Sequence, residues 1–195
     1  HRLEAIDWLQ TNYGRFVKLL ARACCRSGRK VCHSMSSEFK QDEIADKFLR
    51  SKTNGFFLDI GASYPEKWNN SFFFEKERNY RGVAIELNEE FCRKWAEERP
   101  NTIMITADAT TVDYAKVLEQ ANAPHIIDFL SIDIDPNTAT WEVLQKVIET
   151  GYHFNTIAFE VDYGGDIGTP ERFSVRDPSR AYLAARGDRK STRLN

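Results

Sequence analysis

The sequence predicts a doubly wound α/β fold, a mostly parallel Rossmann-like sheet with helices on its faces. Two observations carry that prediction. From Phe39 onward, short apolar segments alternate with segments of helical spacing, the pattern of βαβ units. The run from Ile126 to Ile134 is apolar almost throughout, as expected of a strand covered on both faces of a parallel sheet. Right-handed crossovers then dictate the winding.

Leu3, Ile6, Leu9, Tyr13, Phe16, Val17, Leu20 and Cys24 form one apolar stripe at helical spacing. Six Lys or Arg and no acid lie between Trp8 and Ser37. Residues 1–35 are therefore expected to be a basic amphipathic helical extension, packed on its own domain with a solvated basic face. Phe39 to Ser51 reads as a helix stopped by Asn54-Gly55. Gly55 to Gly61 is a buried strand entering a glycine turn. Asn69, Asn70 or Ser71 caps the helix holding Phe72, Phe73 and Glu75. Gly82 to Leu87 is the second strand, and Asn88 caps a helix ended by Pro100. Thr102 to Ala107 is the third strand, Val112 to Gln120 a helix, and Ile126 to Ile134 the fourth strand. Ala139 to Glu149 is a helix ended at Gly151, and Thr156 to Val161 is the fifth strand.

Composition narrows the function. The chain has 195 residues, 42% hydrophobic and 29% charged, enough for a packed core. A net charge of −2 argues against a globally basic nucleic-acid binder. A membrane-spanning helix needs about 20 apolar residues, and the apolar runs here are far shorter. Cys24, Cys25, Cys32 and Cys92 form neither a CxxC pair nor a zinc spacing, which fits a reduced, cytoplasmic protein. The last eight residues, Asp188 to Asn195, read as the in-frame translation of a sequencing adapter. Residues 188–195 are therefore expected to be a foreign scar on a C-terminally cut fragment.

In such sheets ligands bind outside the C-terminal ends of the strands. Here every strand ends in an acid: Asp59, Glu86, Asp108, Asp133 with Asp135, and Glu160 with Asp162. A single such acid is ordinarily a cap or a turn residue. Five together imply a guest rich in donors and positive charge. S-adenosylmethionine is such a guest. Gly61 lets the backbone turn near its methionine part, with Asp59 beside the ammonium group. Glu86 stands where an acid about 20 residues past a glycine turn accepts both ribose hydroxyls. Asp108 would accept from the adenine amine. A nicotinamide dinucleotide fits less well, because Ser63 and Glu66 occupy two of the three glycine places it wants.

Several runs together resemble the FkbM family of S-adenosylmethionine-dependent methyltransferases. They are Ser37 to Asp42, Gly55 to Ala62, Asn70-Ser71 with Phe74 to Lys76, and Tyr80 to Asn88. The likeness continues through Asp108-Ala109, Leu130 to Asp135, Phe159 to Asp162 and Ser179 to Leu183. It makes residues 36–187 the methyltransferase domain and implies a class I fold with two further strands beyond the fifth. It implies methyl transfer to a hydroxyl of a sugar or secondary metabolite, a small-molecule or glycan acceptor; the charge balance leaves no nucleic acid partner expected. Cofactor-binding positions are then Asp59, Gly61, Ala62, Ser63, Glu86, Leu87, Asp108 and Ala109. Pro136 and Thr138 depart from the family pattern, which often has glycine and an acid there.

Asp133 or Asp135 is the candidate base or acceptor-positioning group, with Glu160 or Asp162 sharing the task. The alternative is that Asp133, Asp135 and Glu160 hold Mg²⁺ to lower the hydroxyl pKa. Tyr64, Trp68 and the Tyr163-Gly164-Gly165 loop are candidates to line the acceptor pocket. His33, His125 and His153 read as isolated surface or turn residues. Two rival functions stay open: a catalytically inactive methyltransferase-like binding module, and an NAD-dependent oxidoreductase.

Overall fold

The computed structural model describes Ser37, residues 41–160 and residues 175–186. The helical extension, the Tyr163-Gly164-Gly165 loop, Asp162 and residues 188–195 lie outside the described residues. The described elements are α1 (Gln41–Phe48), β1 (Phe56–Ile60), α2 (Phe72–Arg78), β2 (Arg81–Glu86), α3 (Glu89–Glu98) and β3 (Thr102–Thr106). A 3₁₀ turn (Ala109–Thr111), α4 (Tyr114–Gln120), β4 (Ile126–Ile132), α5 (Asn137–Glu149), β5 (His153–Phe159) and α6 (Arg176–Ala185) follow. None of these helices is long and apolar enough to cross a membrane.

The five strands form one sheet in the order β3-β2-β1-β4-β5, and every pairing is parallel. This is the doubly wound, Rossmann-like arrangement the sequence predicts, with its switch point between β1 and β4. β1 is buried along its whole length because it has neighbours on both edges and helices on both faces. Alternate residues serve opposite faces. Phe57 packs with Ala45 of α1, Phe73 and Phe74 of α2, Tyr80 and Phe129. On the same face, as the register requires, Ala84 packs with Ala62 and Trp95 of α3. α5 packs on β4 and on α4, burying Leu118, Val143, Leu144 and Val147 completely.

Three local expectations are corrected. β5 starts at His153, in register with Ile126, rather than at Thr156. The chain before α4 contains the 3₁₀ turn, and α4 starts at Tyr114 with Asp113 as its cap. Ser71 stands at the N-cap of α2, but its hydroxyl makes no cap bond; it is used elsewhere, as described below.

A compact unit comprises residues 35–177. Residues 178–186 belong to a second unit; Ser179 among them is buried.

Candidate active site at the strand ends

The parallel register delivers the strand-end acids to one rim. Gly61 turns the chain out of β1 with φ +76°. A Cβ at this position would lie 1.9 Å from the Asp133 carbonyl oxygen and 2.6 Å from Ile134 Cγ2. Glycine is therefore required by contact between the β1 and β4 ends. The Gly61 and Ala62 amides both donate to Ile85 O, at 2.9 and 3.1 Å. The next residue, Ser63, donates its amide to Glu86 Oε2 at 2.8 Å. The other Glu86 oxygen accepts the Asn88 amide at 2.8 Å. Glu86 is half-buried, and Leu87 beside it is 68% exposed. Asn88 caps α3 as expected, accepting from the amides of Glu90 and Phe91. Ala107 donates to Glu86 O at 3.0 Å, which joins the end of β3 to that of β2.

Asp108 follows. Its Oδ1 accepts the Thr110 amide at 2.8 Å and the Thr110 hydroxyl at 2.7 Å. Those bonds hold the Asp108 carboxyl below its ordinary value. Ala62 and Ala109 are turned inward. Their carbonyls accept from Asn69 Nδ2 at 2.8 Å and from the Tyr114 hydroxyl at 2.7 Å.

Asp59 sits in a buried polar cluster that the sequence did not announce. Its Oδ2 accepts from Ser71 Oγ at 2.6 Å and from Asn69 Nδ2 at 3.2 Å. Arg99, wholly buried at the end of α3, organises the rest. It donates to Glu75 Oε2 at 2.6 Å, Pro65 O at 2.6 Å, Asn69 Oδ1 at 3.1 Å and Ser71 Oγ at 3.2 Å. Burial pushes the Asp59 carboxyl up, while Ser71, Arg99 and Asn69 oppose it. Burial likewise lowers the Arg99 guanidinium against the attraction of Glu75. A cation held between two carboxylates is the arrangement that keeps such charges tolerable away from water.

Across the switch point, Asp133 and Glu160 meet. The Glu160 amide donates to Ile132 O at 3.0 Å, anchoring the residue beside β4. The Asp133 carboxyl is pushed up to about 8, first by burial, then by its hydrogen bond to Glu160 and the charges of Glu160 and Asp135. Asp135 is exposed and precedes Pro136, which starts α5 without a side-chain cap bond. Among the described residues no group of three or more His, Cys, Asp or Glu is arranged to hold a metal ion. Asp133, Asp135 and Glu160, the proposed Mg²⁺ ligands, are therefore not gathered into such a group.

Tyr64 packs on Phe91 with ring centroids 4.2 Å apart and planes tilted by 42°, and Trp95 Nε1 donates to Ser63 O at 2.8 Å. Phe73 and Phe74 are core, while Phe72 stands beside the Arg99 guanidinium at 5.6 Å. His125 and His153 are not isolated, contrary to the sequence reading: their rings lie edge to face at 5.2 Å, where β4 and β5 begin.

No protein-family model matches this sequence, and no curated protein matches it. Solved structures do. A TehB-like SAM-dependent methyltransferase from Corynebacterium glutamicum is 10% identical, with a TM-score of 0.43, over 86% of this chain and 80% of its own. A SAM-dependent methyltransferase from Geobacter sulfurreducens, in complex with S-adenosyl-L-homocysteine, is 14% identical, with a TM-score of 0.40, over 64% and 47%. An apo SCOR enzyme from Clostridium thermocellum is 17% identical, with a TM-score of 0.38, over 50% and 46%. The chain spans about half the length of the last two.

Proposed function

We propose that this chain is an S-adenosylmethionine-dependent O-methyltransferase of FkbM type, acting on a hydroxyl of a sugar or secondary metabolite. The observation that carries the reading is the state of Glu86. Each of its oxygens is fixed by one backbone N–H, from Ser63 and Asn88. Each oxygen keeps a further lone pair. A half-buried carboxylate so oriented accepts two vicinal hydroxyls without having to reorganise. Exposed Leu87 supplies an apolar surface next to it, and both bonds to Asp108 fall on Oδ1, leaving Oδ2 for an amine. Asp59 provides negative charge behind the Gly61 turn. The cofactor, when bound, supplies a methyl group already activated on a sulfonium. The chain's own part is to hold the acceptor and take its proton. The Asp133–Glu160 pair brings two carboxyl groups together at the ends of β4 and β5, and one of them serves as the base that takes the proton released by the acceptor hydroxyl. Asp135 lies beside it to position the hydroxyl.

The test is calorimetric titration of the full chain with S-adenosylhomocysteine and, separately, NADH. Binding of the first alone, weakened about tenfold or more by Glu86→Ala, is the expected result. Heat with NADH alone, or equal affinity in the variant, overturns the reading. Binding without transfer of labelled methyl to any hydroxyl acceptor identifies the inactive binding module instead.

A further inference from the structure

The loop between β1 and α2 holds a tryptophan in a backbone conformation that its side chain disfavours. Trp68 has φ +59°, in the left-handed region. A bulky residue adopts this only where its surroundings over-determine it. Yet the indole is 57% exposed, so packing of the ring does not account for the conformation. The fixing contacts lie on either side. Upstream, Arg99 Nη1 donates to Pro65 O at 2.6 Å. Downstream, Asn69 Nδ2 donates to Ala62 O and Asp59 Oδ2, and Asn70 Nδ2 donates to Ser131 Oγ at 3.0 Å. The segment is pinned to β1 and β4, and the ring is held out from it. Lys67 Nζ stands 4.1 Å from the indole centroid.

We propose that Trp68 is a specificity-determining platform that stacks on the flat face of a ring-shaped, hydroxyl-bearing methyl acceptor. The inference rests on the methyltransferase reading for the word acceptor, and on geometry for the rest. Trp68 immediately precedes Asn69 and Asn70, whose side chains bond the ends of β1 and β4. Ser131, the β4 partner, lies two residues before Asp133. Trp68 thus sits in a loop anchored at the ends of β1 and β4, the strands that lead to the rim. Carboxylates accept hydrogens from hydroxyls on a ring's edge, and an indole takes the ring's apolar or π face. A compound with a polar edge and a flat face satisfies both at once. Saccharides and phenols share that chemistry.

The test uses the full chain and ligand-observed NMR with methyl α-glucopyranoside, methyl α-galactopyranoside, methyl α-mannopyranoside and catechol as probes. Trp68→Asn is the main variant, because asparagine tolerates the left-handed backbone. It is expected to melt at or above the wild-type temperature and to bind S-adenosylhomocysteine unchanged. At least one probe should bind wild type, about tenfold more weakly to Trp68→Asn and within about threefold to Trp68→Tyr. A glycoside response alone assigns a sugar ring, and a catechol response alone assigns a phenol. Equal probe binding by Trp68→Asn, or no probe bound by wild type, overturns the proposal. Failure of the methyltransferase reading is separately visible, as absent S-adenosylhomocysteine binding with probe binding still dependent on Trp68.

Discussion

Replacing Arg99 by Met tests whether the buried cluster behind β1 holds the strand-end rim together. The side chains of Arg99 and Glu75 are 0% and 1% exposed, and their nearest atoms are 2.6 Å apart. Methionine fills much of the volume but donates nothing. Glu75 would keep only Thr102 Oγ1 at 2.5 Å and the Asn101 amide at 3.4 Å, and Pro65 O would lose its donor. Removing one partner of a buried pair leaves an uncompensated charge and costs about 3–5 kcal/mol. That is a large part of the roughly 5–15 kcal/mol that holds a domain folded. Glu75→Gln keeps the shape and some hydrogen bonding, so its cost should be smaller, about 1–3 kcal/mol. Urea unfolding followed by circular dichroism measures both, with the midpoint shifted and the slope unchanged. A loss under about 1 kcal/mol for Arg99→Met at unchanged slope would refute the reasoning, since that is the value of an exposed ion pair.

Two further predictions concern the rim itself. The folded Asp133 carboxyl stands at about 8 against an ordinary 3.8, so the folded chain holds a proton that the unfolded chain releases. The contribution of Asp133 is present at acid pH and is lost as pH rises between those values. Asp133→Asn should therefore gain on wild type in urea midpoint from about pH 4 to 8; parallel profiles would contradict the raised Asp133 carboxyl. Gly61→Ala and Gly151→Ala form a matched pair, since both glycines have positive φ. Nothing lies within 4 Å of a Cβ at Gly151, so that variant should lose only the left-handed penalty of about 1–2 kcal/mol. Gly61→Ala, aimed at the Asp133 carbonyl, should lose clearly more and also weaken S-adenosylhomocysteine binding; equal thermal shifts would count against the tight β1–β4 contact.

The central strands were legible because each is a short apolar run bounded by glycine, asparagine or an acid, and β1, β2 and β4 fall where the pattern puts them. The Asn88 cap was legible because its bonds are local. β5 was read three residues late. Gly151-Tyr152-His153 looks like a turn in isolation, and only pairing with Ile126 makes His153 a strand residue. The acids at the strand ends could be named from spacing alone, because parallel strands must end on one side. Their partners could not. Arg99 precedes Pro100 at a helix end rich in charge, which reads as a solvated terminus. Its burial against Glu75, Asn69 and Ser71 arises from contacts distant in sequence. Ser71 looked like a cap for the same reason: the residue type was right, but Asp59 claimed its hydroxyl.

The abutment of Gly61 on Asp133 constrains how this mouth can vary. What presses on the Gly61 α-carbon is chiefly main chain, so no change of neighbouring side chains makes room for a methyl group there. Relief requires the end of β4 to back away as a body, and Asp133 must travel with it, away from the β1 turn. The two halves of the rim are thereby locked in register by a single missing carbon.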